Sequence, residues 1–199
     1  MSRQISAPLA PGSSIAPARP SAWPRSAGIV LAGSFFAALC AHVSIPLYFT
    51  PVPLSLAPFA VLLLGLLLSP RLAAATLGAY LLEGALGLPV FAPTPAVPGL
   101  AHLFGPTGGY LLAYPLAAAL IAFLFRRTGR GFNPACLSAA LGSFVILACG
   151  ALWLAALTHA SLQSVFSLAV LPFLPGDALK IAVAAGLAAA WVRLRPRTT

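Results

Sequence analysis

The chain has 199 residues, of which 60% are hydrophobic and only 7% charged, with one Lys and ten Arg against one Asp and one Glu. That composition excludes an ordinary soluble domain and marks a membrane protein. A net charge of +9 on a soluble chain would suggest nucleic acid. Here the Arg residues fall in short clusters between apolar runs, which is the topology bias of membrane proteins.

Divided into apolar segments of about 20 residues, the length allows roughly six spans joined by short loops. Cys40, Cys136 and Cys149 lie inside apolar runs. An odd number without a CxxC spacing argues against a disulfide framework or a zinc site, and no metal ligand set is expected. Residues 1–26 are rich in Pro, Ser and Ala, carry Arg3, Arg19 and Arg25, and show no periodicity. They read as a disordered cytoplasmic tail. A cleavable leader does not fit, because Ser26-Ala27-Gly28 precede the first apolar run rather than follow it.

The first span is predicted over 28–45. Gly33, Ala37 and Ala41 repeat every four residues along it and leave a smooth stripe, suited either to helix packing within the chain or to docking a partner. Pro46, Pro51 and Pro53 make 45–53 a loop, which carries Tyr48 and Phe49 and no charge. The second span is predicted over 54–68, a turn at Ser69-Pro70-Arg71, and the third span over 72–86. The loop 87–106 has five Pro and no charge, and a loop this apolar is expected to fold over something. The remaining spans are predicted over 107–125, 135–157 and 174–192.

In this six-span arrangement all ten Arg fall on one side, so both termini are expected in the cytoplasm. The domain reading is a tail over 1–26, a membrane domain over 27–193 and a basic tail over 194–199. The fold class is an all-α integral membrane protein with six transmembrane helices.

The other charges land elsewhere. Asp177 and Lys180 open the sixth span on the outer side, three residues apart, so on a helix they share a face. Glu83 lies twelve residues beyond Arg71, roughly 18 Å into a core of about 30 Å. Three ionisable groups thus gather at one depth, away from the Arg clusters. Charge within a bilayer is costly, so the group reads as a polar binding site. Tyr80, Phe91, Phe104, Tyr110 and Trp153 are the candidate aromatic walls. An acid that accepts and an amine that donates, one turn apart, suit a cyclic urea, an amide or a carboxylate.

Four stretches then resemble one known family. They are Ile45-Pro46-Leu47 through Pro51-Val52-Pro53-Leu54-Ser55-Leu56, Tyr80 through Leu88-Pro89-Val90-Phe91-Ala92, Gly105-Pro106-Thr107-Gly108-Gly109-Tyr110-Leu111, and Pro172 through Lys180. In order and spacing they are similar to BioY, the biotin-specific substrate-binding (S) component of energy-coupling-factor (ECF) transporters. The resemblance implies a six-helix S-component bundle in the bacterial cytoplasmic membrane. It implies biotin capture from outside, and delivery with a transmembrane coupling subunit and two ATPase subunits. It places the ligand on Asp177 and Lys180, and the residues' own depth and aromatic character add Glu83, Tyr80, Phe91, Tyr110 and Trp153 as candidates around it. Tyr48, Phe49 and Phe104 would belong to lid loops. Gly33, Ala37 and Ala41 would dock the coupling subunit. Where the family often has Thr-x-Gln after Pro-Val-Pro, this chain has Ser55-Leu56-Ala57.

No GxxxxGK[ST] phosphate loop occurs, so the chain is not expected to be an enzyme, and ATP hydrolysis falls to partner subunits. His42, His102 and His159 lack metal-ligand spacing, and no GxSxG or HExxH motif supports a hydrolase. The competing transport readings are a stand-alone secondary transporter or facilitator, possible homo-oligomer included, and an S component for another vitamin.

Overall fold

The computed structural model describes residues 23–93 and 99–194. Eight helices carry the fold among the described residues: α1 (Trp23–His42), α2 (Ala57–Leu67), α3 (Pro70–Ala85), α4 (Leu100–Leu103), α5 (Gly108–Arg127), α6 (Phe132–Thr158), α7 (Leu162–Ala169) and α8 (Leu174–Leu194). A 3-10 turn over Leu171–Phe173 joins α7 to α8. Between α1 and α2, β1 (Ser44–Ile45) pairs antiparallel with β2 (Leu54–Ser55), Ser44 opposite Ser55.

Local sequence explains the boundaries. Ser69 caps α3 by accepting from the Leu72 amide, and Pro70 at the first helical position loses no hydrogen bond there. Ser161 caps α7 in the same way through the Ser164 amide. The prolines at 46, 51 and 53 keep helix out of the first loop and leave the short strand pair to close it.

Helix α5 is the centre of the bundle. It packs on α6, α3 and α2, while α1 lies against α3 and α2, and α8 against α6 and α2. Tyr80, Leu77, Leu62, Ile121 and Ile146 are the large side chains sealed inside. Outward faces stay apolar, with Leu31, Phe35 and Leu39 exposed on α1 and Phe144 and Leu152 on α6. Apolar exposure of this extent fits a lipid environment.

Among the described residues four segments are long and apolar enough to cross a membrane: Trp23–His42, Gly108–Arg127, Phe132–Thr158 and Gln163–Leu194. At 1.5 Å per residue, α2 rises only about 16 Å and α3 about 24 Å, short of a core of about 30 Å. The helical runs expected at 54–68 and 72–86 are therefore present but reach less far than full spans.

Two expectations change. Residues between the fifth and sixth predicted spans were read as a connection, whereas they form α7, whose Val165 and Ala169 are buried under the bundle. Helix α1 starts at Trp23, so Trp23–Ser26 are helical rather than part of a tail, and the rest of that tail lies outside the described residues. The stripe Gly33, Ala37 and Ala41 is buried inside the chain. A side chain at Gly33 would meet Thr76 of α3 and Leu64 of α2, so within this chain the small residues serve the close packing of α1, the first of the two roles expected for them. The basic tail over 194–199 lies outside the described residues except for Leu194, which ends α8.

Candidate functional site

A cavity of about 50 Å³ opens at one end of the bundle. Helices α1, α3, α5 and α8 reach it with the end remote from their arginines. Helix α1 starts near Arg25 and contributes Ala41; α3 starts at Arg71 and contributes Tyr80. Helix α5 contributes Tyr110 and Tyr114 and ends at Arg126 and Arg127, while α8 contributes Asp177 and Lys180 and runs to Arg193. The polar site and the described arginines thus occupy opposite ends.

Asp177 and Lys180 are the polar heart of the cavity. Pro175 and Gly176 lead into the first turn of α8, where an acid is favoured by the helix dipole. Asp177 is 6% exposed and Lys180 8%. Lys180 Nζ donates to Asp177 Oδ1 at 3.0 Å, and Ser143 Oγ of α6 donates to Asp177 Oδ2 at 2.6 Å. A buried ion pair holds only when remaining lone pairs are also engaged, and Ser143 supplies that partner.

Aromatic side chains build the walls. Tyr110 donates its hydroxyl to the Ala169 carbonyl at 2.8 Å, tying α5 to the end of α7. Tyr80 stacks on Tyr114 with ring centres 6.4 Å apart. The Tyr80 hydroxyl is buried with no hydrogen-bond partner among the described residues. Tyr80 lines the cavity, and a buried polar atom without a partner calls for an explanation.

The other candidates separate. Glu83 does not face the cavity: its Oε1 accepts from Ser34 Oγ of α1 at 2.8 Å. Phe91 sits behind the wall, in a niche that a side chain at Gly84 would fill, edge-on to Tyr80 at 5.4 Å. Trp153 also stays outside the cavity. Its Nε1 donates to the Gly105 carbonyl at 2.9 Å, and a side chain at Gly109 would collide with it. Trp153 therefore anchors the loop before α5. Tyr48, Phe49 and Phe104 are exposed and line no part of the cavity. The two loops do cover the site, through Val52, Pro53 and Ser55 from the first and Ala92, His102 and Thr107 from the second.

Sequence reading missed Ser143, Tyr114 and His102. His102 of α4 is 6% exposed, stacks on Phe91 with ring centres 5.0 Å apart, and lines the cavity. Burial lowers the pKa of its imidazole below the ordinary value. Its signal was a polar residue in an uncharged apolar loop. Among the described residues no cluster of His, Cys, Asp or Glu could hold a metal.

Comparison with known proteins gives the family and the fold. A family model described as the BioY family matches residues 15–197. The chain is 38% identical over 156 residues to a probable biotin transporter BioY of Pyrococcus horikoshii, covering 78% of this chain and 90% of that protein. It is 35% identical over 162 residues to the biotin transporter BioY of Thermotoga maritima, covering 80% and 92%. The crystal structure of the S-component for biotin from an ECF-type ABC transporter superposes with a TM-score of 0.78 at 26% identity, over 87% of this chain and 93% of that one.

Proposed function

The chain belongs to the BioY family, and on that premise we propose that it is the S component that captures biotin at the outer face of the bacterial cytoplasmic membrane. Delivery across the membrane then requires a transmembrane coupling subunit and two ATPase subunits, since this chain carries no phosphate-binding loop. The helices cross with both termini in the cytoplasm, α2 and α3 completing a six-helix bundle. That orientation follows from the arginines at one end and the cavity at the other.

One observation carries the reading. The Asp177–Lys180 pair, held by Ser143, is the polar centre of an otherwise apolar, aromatic cavity away from the basic end. Biotin has a compact ring with a urea edge and an acidic tail. Asp177 accepts a ureido N–H, Lys180 donates to the ureido oxygen, and the aromatic walls cover the ring. The unpaired Tyr80 hydroxyl is a third polar contact. The first and second loops close over the ligand through the wall residues they already contribute.

Equilibrium binding of biotin to the purified protein tests this, with other vitamins as competitors. Saturable binding displaced by biotin alone is expected, and it should be lost in Asp177→Ala and Lys180→Ala. Equal displacement by an unrelated vitamin would assign the pocket to another ligand.

A further inference from the structure

The charges in the cavity cancel. Lys180 is its one wall cation among the described residues and is bonded to Asp177, whose second oxygen is taken by Ser143. Biotin brings a carboxylate. A net negative charge placed in a mostly apolar cavity needs a counter-charge, and the paired lysine already has one.

His102 reaches the cavity from other elements. It belongs to α4, which packs on α3 and α5, whereas the ion pair belongs to α8, which packs on α6 and α2. Its ring is fixed by the stack on Phe91, and Phe91 is fixed in turn by the Gly84 niche and by Tyr80. Neither ring nitrogen has a hydrogen-bond partner among the described residues. The other ionisable groups on the cavity wall are Tyr80 from α3, Tyr110 and Tyr114 from α5, and Asp177 and Lys180 from α8. Glu83 of α3 turns to Ser34 on α1, and α6 presents Ser143, Ile146 and Leu147 on this side. A protonated imidazole would be the one uncommitted positive group.

We infer that His102 receives the ligand's carboxylate and that its imidazole takes up a proton as the ligand binds. The inference rests on the biotin reading and gives the site two poles: the ion pair for the urea edge and His102 for the acid. Burial supports it, because a lowered pKa leaves the imidazole neutral in the free protein, so the proton arrives with the carboxylate.

The test is calorimetric titration of the full-length protein with biotin and with uncharged biotin amide, in buffers of different ionisation heat, between about pH 6 and 8.5. Biotin should bind with proton uptake, and its affinity should fall by up to about tenfold per pH unit on the alkaline side. The amide should bind with no uptake and no slope. His102→Gln should abolish uptake and slope for biotin. Biotin binding without uptake or slope in the unaltered protein would overturn the inference, and this readout does not depend on a variant that folds. Unchanged uptake in His102→Gln would overturn it too. If neither ligand binds at any pH, the biotin reading itself falls and takes this one with it.

Discussion

Ser143 on α6 and Asp177 on α8 are joined by a 2.6 Å hydrogen bond, so the acid on the cavity wall is held from a helix other than its own. With Oδ2 fixed by Ser143, Oδ1 meets Lys180 at 3.0 Å. Removing Asp177 alone leaves Lys180 as an unpaired buried cation, a loss of about 3–5 kcal/mol in stability. The Asp177→Ala/Lys180→Ala double variant should melt higher than Asp177→Ala and still fail to bind biotin. Thermal melts of the singles and the double in detergent, beside binding on the same samples, separate the structural effect from the recognition effect.

Tyr80→Phe should divide the same two quantities in the opposite direction. The hydroxyl is fully buried and has no partner among the described residues. A buried unsatisfied polar group costs about 1–3 kcal/mol, so its removal should leave the melting temperature of the free protein unchanged or raised. Biotin affinity should fall, by about fivefold or more for a lost hydrogen bond of about 1 kcal/mol. A variant that binds as well as the parent would show that the hydroxyl meets no ligand atom.

Gly109→Ala should destabilise the fold without touching the cavity wall. The added methyl would strike Trp153 and the Cys149 carbonyl on α6. Forcing a methyl into a packed interface costs about 1–3 kcal/mol. Trp153→Phe removes the indole donor to Gly105 and should cost about 1 kcal/mol. Melting temperatures check both, and a Gly109→Ala protein as stable as its parent would contradict the observed helix contact.

Acid should loosen the unliganded protein. The folded pKa of His102 is lowered by burial, while the unfolded chain titrates near its ordinary value of about 6.5. Stability is therefore full above that value and falls as pH drops below it, because the unfolded state then binds the proton more readily. The loss levels off once pH passes below the folded pKa. His102→Gln should flatten this acid limb in melts recorded without biotin.

The apolar runs were legible because each is long and bounded by Pro, Gly or Arg. Observed helices keep those runs, with ends moved by a few residues. Helix α7 escaped because it is short and lies inside an uncharged connection. In the site, Asp177 and Lys180 could be paired from sequence because a three-residue separation on a helix fixes their shared face. Glu83 shows the limit. Its depth follows from counting residues, but whether it faces the cavity or α1 depends on how α3 turns against its neighbours, and it turns to Ser34. Ser143 is one of many serines in the chain, and only the packing of α6 on α8 singles it out.

Both charges of the central pair stand on one helix, a single turn apart. Any tilt or shift of α8 as a body carries acid and amine together, with their mutual geometry intact. If the pair holds the ligand as proposed, a rigid movement of α8 would not pull these two apart, and release would be governed by the pieces around them, by uncovering the ligand or by sliding Ser143 away and changing how the carboxylate is oriented.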